Sequence, residues 1–388
     1  MQWMVPERRL DEYQLEVLRK CSVLRGKNQW IRGFAGSGKS VLVMHAVQRI
    51  LAAEPNTSIC VAVYTHALKQ LLASGLAEKY RNVPVQTYHQ LLNAHKRGDG
   101  VHYAVLVIDE VQDIPKEKLK ELQSTADRLI VAGDHDQSIY EESSSSAELV
   151  ELLEPDVYPL TTIYRLTKRL IDIVRTILPG STIEGARTGR MQEVQITLAK
   201  ADNERDETSW VWGQCRRYSK QGEPSALLFA SHDDVQTFLT EIASAEGISP
   251  PTFHDRTGNK KNHYELANKH FQERHVALRY LGNGFGSLEE SDTMPLTYVM
   301  TYHSAKGLDF NTVFIPRLNS GQVIWRDNGD IARRLFFVAA TRSRRNLFLS
   351  YSSAEPHAYV TAMPQNLLHL EFCSPSGSNA FEDEEIPF

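Results

Sequence analysis

The chain has 388 residues, of which 41% are hydrophobic and 23% charged, and this predicts about two globular domains with substantial cores. The formal net charge of −5 excludes binding to nucleic acid through an overall basic field, so any such contact has to come from a local groove. No apolar run approaches membrane-spanning length, and four widely spaced cysteines without a C-x-x-C pair predict reduced thiols. We therefore expect a cytoplasmic protein without membrane contact.

Short apolar runs alternate with helical patterns along most of the chain, which is typical of α/β proteins with parallel sheets. In the first half, strands are predicted at Gln29–Gly33, Ser58–Thr65, Tyr103–Asp109 and Arg128–Gly133. In the second half, strands are predicted at Ala226–Ser231, Leu296–His303, Thr312–Pro316 and Asn346–Tyr351. Helices are predicted at Lys39–Leu51 and Lys116–Ala126.

Prolines at 155 and 159 interrupt the pattern and predict a boundary between domains at residues 1–156 and 157–373. Residues 250–292 are polar, glycine-rich and predicted to be irregular. Residues 374–388 contain too little apolar surface to fold alone, so we predict a disordered, acidic C-terminal tail.

A phosphate-binding loop is predicted at the start of the first helix. Gly33-Phe-Ala-Gly-Ser-Gly-Lys-Ser40 fits G-x-x-x-x-G-K-S directly after a predicted strand, which is the context that this motif requires. Backbone N–H groups of the loop, together with the helix N-terminus, can surround a phosphate. Lys39 is predicted to reach the β- and γ-phosphates of ATP, and the Ser40 hydroxyl to ligate Mg²⁺. The predicted nucleotide contacts here are Gly36, Ser37, Gly38, Lys39 and Ser40.

The second part of the nucleotide site follows the apolar strand that ends in Val105-Leu-Val-Ile-Asp109-Glu110. Ligands of open α/β sheets bind at the carboxyl ends of strands, where this carboxylate pair is predicted to lie. We expect Asp109 to hold Mg²⁺ through water and Glu110 to polarise the water that attacks ATP.

Further motifs resemble superfamily 1 helicases, most closely the UvrD/Rep-like branch, over nearly the whole chain up to about Phe372. They follow one another in the order typical of that family: Leu10-Asp-Glu-Tyr-Gln14, Asp109-Glu-Val-Gln-Asp113, Gly133-Asp-His-Asp-Gln-Ser-Ile-Tyr140, Ile163-Tyr-Arg165, Thr301-Tyr-His-Ser-Ala-Lys-Gly-Leu-Asp-Phe310 and Arg334-Leu-Phe-Phe-Val-Ala-Ala-Thr-Arg342. The resemblance implies two RecA-like P-loop domains with ATP bound between them.

The resemblance also implies individual roles. Adenine contacts are implied for Gln14 and Tyr164, and nucleotide contacts for Gly307 and Asp309, with Asp309 at the ribose in place of the usual Glu. Catalytic roles at the γ-phosphate are implied for Gln137, Arg165 and the arginine finger Arg342, beside the water-activating Glu110. Contacts with single-stranded DNA are implied for Tyr64, Thr65, His66, Thr87, His89, Thr301 and His303. The activity implied is that of an ATP-dependent translocase or helicase in bacterial or phage DNA repair, replication or defence.

Three departures from the family favour an alternative. Only residues 93–102 and the stretch 250–292 stand where relatives carry large accessory subdomains, and Tyr140 is followed by Glu-Glu-Ser-Ser-Ser-Ser instead of a run with a base-stacking tryptophan. The alternative is a nucleotide-dependent switch or recruitment subunit with weak motor activity of its own. Binding to RNA is a third interpretation, which the tail disfavours.

The tail Phe381-Glu-Asp-Glu-Glu-Ile-Pro-Phe388 resembles the acidic tip of bacterial single-stranded DNA-binding protein (SSB). The resemblance implies that Ile386, Pro387 and Phe388 dock on proteins that recognise the SSB tail, with the Phe ring in an apolar pocket and the acidic run against a basic rim. A solubilising tail and a brake on the chain's own DNA groove stay open as alternatives.

Overall fold

The computed structural model describes residues 3–140, 144–179, 187–188, 193–254, 263–326 and 328–373. Two predicted features lie outside these residues. They are the tail 374–388, with its partner-binding residues Ile386, Pro387 and Phe388, and residues 141–143 of the acidic run after Tyr140.

The first of two parallel sheets organises the amino-terminal part of the chain, with the strand order β3-β2-β4-β5-β1-β6. Its strands are β1 Gln29–Gly33, β2 Ile59–Val63, β3 Val85–Thr87, β4 Val105–Ile108, β5 Leu129–Gly133 and β6 Asp156–Leu160. The accompanying helices are α1 Glu12–Cys21, α2 Lys39–Ala53, α3 His66–Ser74, α4 Tyr88–Lys96, α5 Lys116–Gln123 and α6 Ser146–Leu153. We call this part the first unit.

The second sheet, with its helices, forms the second unit, and its strand order is β11-β12-β10-β13-β14-β9-β15. A two-stranded pair, β7 Thr162–Ile163 and β8 Arg187–Thr188, and helix α7 Lys168–Ile177, which contacts α11, come before the first strand of this sheet and belong to the second unit. Its strands are β9 Gln195–Lys200, β10 Ser225–Phe229, β11 Leu278–Tyr280, β12 Thr297–Thr301, β13 Phe310–Ile315, β14 Ser343–Tyr351 and β15 His369–Phe372. Its helices are α8 Glu204–Tyr218, α9 His232–Ala245, α10 Glu265–Glu273, α11 Gly329–Ala340 and α12 Ala358–Thr361.

Apolar side chains of the central strands point alternately to the two faces of the first sheet, which explains why helices cover both faces. Val105 and Val107 of β4 pack into one apolar cluster, whereas Leu106 and Ile108 pack into another on the opposite face. Successive side chains of a strand point to opposite faces, so a strand that is apolar throughout needs helices on both sides. The predicted α/β class, with two parallel sheets flanked by helices, is confirmed.

The strands that the sequence analysis missed lie mostly at sheet edges. β6 contains Pro159 and pairs only with β1 in the sheet order, which is where a strand can tolerate a residue without an N–H group. Because β6 belongs to the first sheet, that sheet extends past the predicted boundary at residue 156. We propose that the first domain ends after Leu160.

The stretch 250–292 is more regular than predicted. It contains helix α10, the edge strand β11 and a short 3-10 turn at Leu288–Asp292. The interpretation of this whole stretch as irregular was therefore wrong. All four cysteines are buried free thiols, and no helix in the described ranges is long and apolar enough to cross a bilayer.

Candidate active site and nucleic-acid interface

A cavity of about 670 Å³ lies between the two units. The first unit lines it with loops that follow β1, β4 and β5, and the second unit with the segment after β7, the β12–β13 connection and the start of β14. The predicted site residues that line it are Gly36, Gly38, Lys39, Ser40, Glu110, Gln137, Tyr164, Arg165, Gly307, Asp309 and Arg342. The fold thus brings predicted nucleotide residues of both units to one place.

The phosphate-binding loop packs closely against the second half of the site. Gly36 has a φ of +74°, and a Cβ atom there would lie 2.4 Å from the Cβ of Arg165, so a side chain is excluded on both counts. The N–H group of Tyr164 donates to the Gly36 carbonyl at 2.9 Å. The loop therefore positions the segment that carries Tyr164 and Arg165.

The side chain of Lys39 contacts carbonyl groups of the phosphate-binding loop itself. Its Nζ donates to the carbonyl oxygens of Gly33 and Phe34, each at 3.0 Å. An ammonium group has three N–H donors, so one remains for a phosphate oxygen. The buried Ser37 hydroxyl has no hydrogen-bond partner among the described residues, which leaves it available to a ligand of the loop.

Ser40 and Asp109 meet as the two predicted Mg²⁺ residues. The Ser40 Oγ donates to Asp109 Oδ2 at 2.7 Å. Burial, reinforced by the nearby Glu110, raises the pKa of Asp109 to about 6. Oxygen ligands next to a phosphate-binding loop suit Mg²⁺, which takes one or two protein oxygens and completes its shell with phosphate and water. The residues present therefore fit a Mg²⁺–nucleotide complex.

Glu110 is held in an unusual backbone conformation at the cavity. Its φ of 57° lies in the left-handed region, which non-glycine residues adopt rarely and often at functional sites. The amide Nε2 of Gln112 donates to Glu110 Oε2 at 2.6 Å. Although burial opposes ionisation, the positive charges of Lys306 and Lys39 hold the pKa of Glu110 below its usual value. Glu110 is therefore an oriented, ionised carboxylate.

Arg342 reaches the first unit from the second. Its Nη2 donates to Gln137 Oε1 at 3.1 Å, and its Nε donates to the Val338 carbonyl at 2.7 Å. Burial, together with repulsion from Arg165, lowers the pKa of Arg342 to about 9, so the group is still a cation at neutral pH. A buried cation beside Gln137 creates a strong electrostatic site for a phosphate anion.

Some predicted residues do not enter the cavity. Gln14 is buried, with its Nε2 donating to the Ser37 carbonyl at 3.0 Å and its Oε1 accepting from the Asp11 N–H at 3.1 Å. Its amide thus supports the loop from behind, and its adenine contact stays a prediction. Ser37 and Asp109 are likewise buried and are not among the residues that line the cavity.

Tyr164 lies at the open side of the cavity with 38% of its surface exposed. Its hydroxyl donates to the carboxylate of Asp11. The exposed ring is available to stack on a base.

An aromatic row crosses from the first unit to the second. Tyr64 stacks on Tyr140 with ring centroids 4.3 Å apart, Tyr140 lies 5.8 Å from His303, and His303 lies 5.2 Å from Trp325. At the other end, His89 lies 6.4 Å from Tyr64. Aromatic rings with an exposed face can stack on bases, and Trp325 exposes 36% of its surface.

The predicted threonines of the nucleic-acid face serve local structure. Thr65 and Thr87 are the N-caps of α3 and α4, and their hydroxyl oxygens accept from Leu68 N and Gln90 N. Thr301 is buried and its Oγ1 donates to Ser304 Oγ at 3.1 Å. His66, in contrast, is exposed at the start of α3. Strand contacts from these residues stay predictions.

Comparisons with known proteins agree with this geometry. The profile of an AAA domain matches residues 19–143, and the profile of the UvrD-like helicase C-terminal domain matches residues 276–354. The chain belongs to the UvrD/Rep-like helicases of superfamily 1. The first matched range contains the phosphate-binding loop, and the second contains Arg342.

The chain spans less than half the length of the relatives that it matches. ATP-dependent DNA helicase Rep of Buchnera aphidicola subsp. Schizaphis graminum is 35% identical over 88 residues, which cover 19% of this chain and 13% of that protein. A probable DNA helicase of Mycoplasma pneumoniae is 24% identical over 284 residues, which cover 66% of this chain and 45% of that protein. Among solved structures, the PRRSV helicase aligns with a TM-score of 0.44 and 13% identity, covering 87% of this chain and 54% of that one.

The structure adds residues to the UvrD/Rep-like site that the sequence analysis had not assigned. Lys306 forms a buried ion pair with Asp113 across the units, with Nζ 2.6 Å from Oδ2, and also donates to the Gln137 carbonyl. Trp325 completes the aromatic row and is 36% exposed. Lys306 lies inside a quoted motif and so carried a signal in the sequence, whereas the exposure of Trp325 is seen only in the structure.

His303 gives the protein a predictable dependence of stability on pH. Burial, together with Lys306, lowers the pKa of His303 from 6.5 to about 4. Below about pH 6.5 the unfolded chain takes up a proton at His303 that the folded chain refuses, so the contribution of His303 to the free energy of unfolding is expected to fall between about pH 6.5 and 4. The raised pKa values of Asp109 and Asp113 act in the opposite direction in the same window. The contribution is on the order of 3 kcal/mol.

Chemical denaturation at a series of pH values measures this effect. His303→Asn is expected to remove the His303 contribution to the slope in that window, whereas His369→Asn, at an exposed position on β15, is expected to leave the slope unchanged. Equal slopes for the wild type and His303→Asn would contradict the assignment.

Proposed function

We propose that the chain is an ATP-driven motor that moves on single-stranded DNA. The observation that carries this proposal is the meeting of Arg165 and Arg342 with the phosphate-binding loop of the other unit in one cavity. Since the two halves of the site belong to different units, hydrolysis and release of phosphate change the contacts between the units.

The residues of the site have separate roles in ATP hydrolysis. Lys39 and the loop N–H groups bind the phosphates, and Ser40 and Asp109 are the residues that hold Mg²⁺. Bound Mg²⁺ supplies charge neutralisation on the phosphate oxygens. Glu110, oriented by Gln112, accepts a proton from the attacking water. Arg165 and Arg342 stabilise the charge that develops on the transferring phosphoryl group.

A short path connects the cavity with the aromatic row. Lys306 contacts Asp113 and Gln137 of the first unit, and its own N–H group donates to the His303 carbonyl at 3.3 Å. His303 lies between Tyr140 and Trp325 in the row. A shift of Lys306 during hydrolysis therefore displaces a stacking residue.

Trp325 supplies the stacking ring that the sequence after Tyr140 lacks. Base stacking contributes about 1–3 kcal/mol per base, so Trp325→Ala is expected to weaken single-stranded DNA binding by about 5- to 150-fold. Fluorescence anisotropy with a labelled oligonucleotide measures the affinity. Val323→Ala, at another exposed apolar position of the same loop, is the control. Unchanged affinity for Trp325→Ala would remove this residue from the strand path.

The test of the proposed function is the steady-state rate of ATP hydrolysis with single-stranded DNA, duplex DNA or RNA, with Lys39→Ala as the blank. Strong stimulation by single-stranded DNA that disappears in the blank supports the motor. Stronger stimulation of hydrolysis by RNA than by DNA would mean that the motor moves on RNA. Hydrolysis that no nucleic acid alters would contradict the motor.

One observation favours the alternative of a nucleotide-dependent switch or recruitment subunit. Only residues 97–104 connect α4 to β4, and the stretch 250–292 adds only α10, β11 and a 3-10 turn among its described residues. Helicases of the UvrD/Rep-like family carry large accessory subdomains at these two places. A chain that hydrolyses ATP but fails to displace a streptavidin block from single-stranded DNA supports the switch.

The partner of the acidic segment 381–388 is a separate proposal. We propose that Ile386, Pro387 and Phe388 bind proteins that recognise the SSB tail. Pull-down of such a protein by the wild type, and loss of that interaction after deletion of Phe388, are the expected results. Equal capture by both chains would contradict the proposal.

A further inference from the structure

Helix α3 of the first unit contacts the second unit outside the nucleotide cavity, through the side chain of Gln70. Its Nε2 donates to the Gly286 carbonyl at 3.2 Å, and its Oε1 accepts from the N–H group of Leu288 at 3.3 Å. None of these three residues lines the cavity. Both ends of one amide are therefore bound by one short segment of the other unit.

The segment that receives this amide has a fixed backbone. Gly286 has a φ of +78°, and a Cβ atom there would lie 2.3 Å from the Tyr280 carbonyl oxygen, so only glycine fits. The hydroxyl of Tyr298 on β12 donates to the Ser287 carbonyl at 2.6 Å. Leu288 is buried in the apolar core. The second unit thus presents a carbonyl and an N–H group at set positions.

A second contact of α3 with the second unit lies at the nucleotide site. Leu68 packs closely against Gly307, since a Cβ atom at Gly307 would lie 2.9 Å from Leu68 Cδ1. Gly307 and Leu71 both line the cavity. A helix moves as a rigid body over two or three turns, so the Gln70 contact restrains the side of the cavity that α3 forms.

The Gln70 contact differs in chemistry from the contact that Arg342 makes across the units. Arg342 donates to Gln137 at the site where the proposed function places the phosphates. The amide of Gln70 and its backbone partners are neutral and lie outside the cavity, so they do not compete with a nucleotide. This contact therefore stabilises the closed arrangement, in which the two units share the cavity, whether or not ATP is bound.

We propose that Gln70 is a positioning residue for ATP hydrolysis: its amide holds the units closed, so that Arg165 and Arg342 stay at the phosphate-binding loop when no DNA is bound. This inference rests on the proposed function, in which hydrolysis needs both halves of the cavity. A DNA strand that binds both units favours the same closed arrangement. The contribution of Gln70 to the rate is therefore largest without DNA.

The steady-state rate of ATP hydrolysis by the full chain, without DNA and with saturating single-stranded DNA, tests the inference. Gln70→Ala is expected to lower the DNA-free kcat on the order of tenfold, the combined effect of two neutral hydrogen bonds. With saturating DNA the rate is expected to stay close to that of the wild type, because the bound strand replaces the lost contact. Damage to the fold would lower both rates together.

Gln48→Ala is the matched control. Gln48 lies on α2 and also binds backbone with its amide, since its Oε1 accepts from the Ala77 N–H at 3.1 Å, but this contact stays within the first unit. The control is expected to keep the wild-type ratio of the two rates. Gln70→Glu keeps the acceptor for Leu288 but places a second oxygen against the Gly286 carbonyl. It is expected to lower the DNA-free rate as well and serves if Gln70→Ala folds poorly.

Small-angle X-ray scattering of the nucleotide-free chain gives a measure that does not depend on turnover. Gln70→Ala is expected to increase the radius of gyration, because the units separate. An unchanged radius, an unchanged DNA-free rate, or an equal loss of rate with and without DNA contradicts the role of Gln70 and leaves the motor intact. If no nucleic acid alters hydrolysis by the wild type, the motor is overturned, and the scattering then decides the role of Gln70 by itself.

Discussion

Glu110→Gln is expected to lower kcat for DNA-stimulated ATP hydrolysis by about 10²- to 10⁴-fold, the usual contribution of a general base. The carboxylate lies in the cavity, is oriented by Gln112 and is kept ionised by Lys306 and Lys39. An amide of the same shape accepts a hydrogen bond from water but cannot take its proton. Release of phosphate at saturating ATP measures the loss.

Binding of ATP separates this effect from damage to the site. Since the phosphate-binding loop and the arginines are unaltered, Glu110→Gln is expected to bind ATP at least as tightly as the wild type. Glu117→Gln, at an exposed position of α5, is the control for loss of a carboxylate. A Glu110→Gln chain that keeps more than about a tenth of the wild-type rate would rule out Glu110 as the base.

Arg342→Lys is expected to lower kcat on the order of 10³-fold, because an arginine finger contributes about 10³ to 10⁵ in rate. The guanidinium bridges the units, since it belongs to the second unit and donates to Gln137 of the first. Lysine keeps the charge but lacks the planar fork of donors that reaches Gln137 and a phosphate oxygen together. KM for ATP is expected to change much less than kcat.

Folding has to be measured in parallel, because Arg342 also donates to the buried carbonyls of Val338 and Leu308. A lower melting temperature is therefore expected for Arg342→Lys. Arg334→Lys is the matched control, since Arg334 lies on α11 and contacts the Ser138 carbonyl of the first unit outside the cavity. If both variants lose the same fraction of kcat, the effect belongs to the interface between the units and not to phosphoryl transfer.

Local motifs were predictable to the residue. β1 begins and ends where the sequence predicted, and α2 begins at Lys39 as predicted. Strand, glycine loop and helix N-terminus are neighbours in the chain, so their geometry follows from local backbone preferences. The Ser40–Asp109 contact followed because the loop that leads to Ser40 comes after β1 and Asp109 comes after β4, at the same edge of one parallel sheet.

Edge strands and the surroundings of single side chains were less predictable. β3, β11 and β15 are short, and short segments become strands because a neighbouring strand offers hydrogen bonds. Gln14 belongs to a motif that implies contact with a base, yet its amide completes the N-cap of α1 and supports the phosphate-binding loop. No local sequence pattern distinguishes a glutamine that contacts a base from one that supports the phosphate-binding loop.

The sequence by itself determined the family of this protein and predicted its nucleotide site, because those residues lie in short motifs with a set spacing. Tertiary structure alone decided that Lys306 pairs with Asp113, 193 residues away, that Trp325 extends the aromatic row, and that Arg344 engages Asp309. The Lys306–Asp113 contact depends on how the two sheets face each other, and the other two depend on how loops of the second unit meet. That arrangement follows from the packing of side chains over the whole chain, which no local pattern encodes.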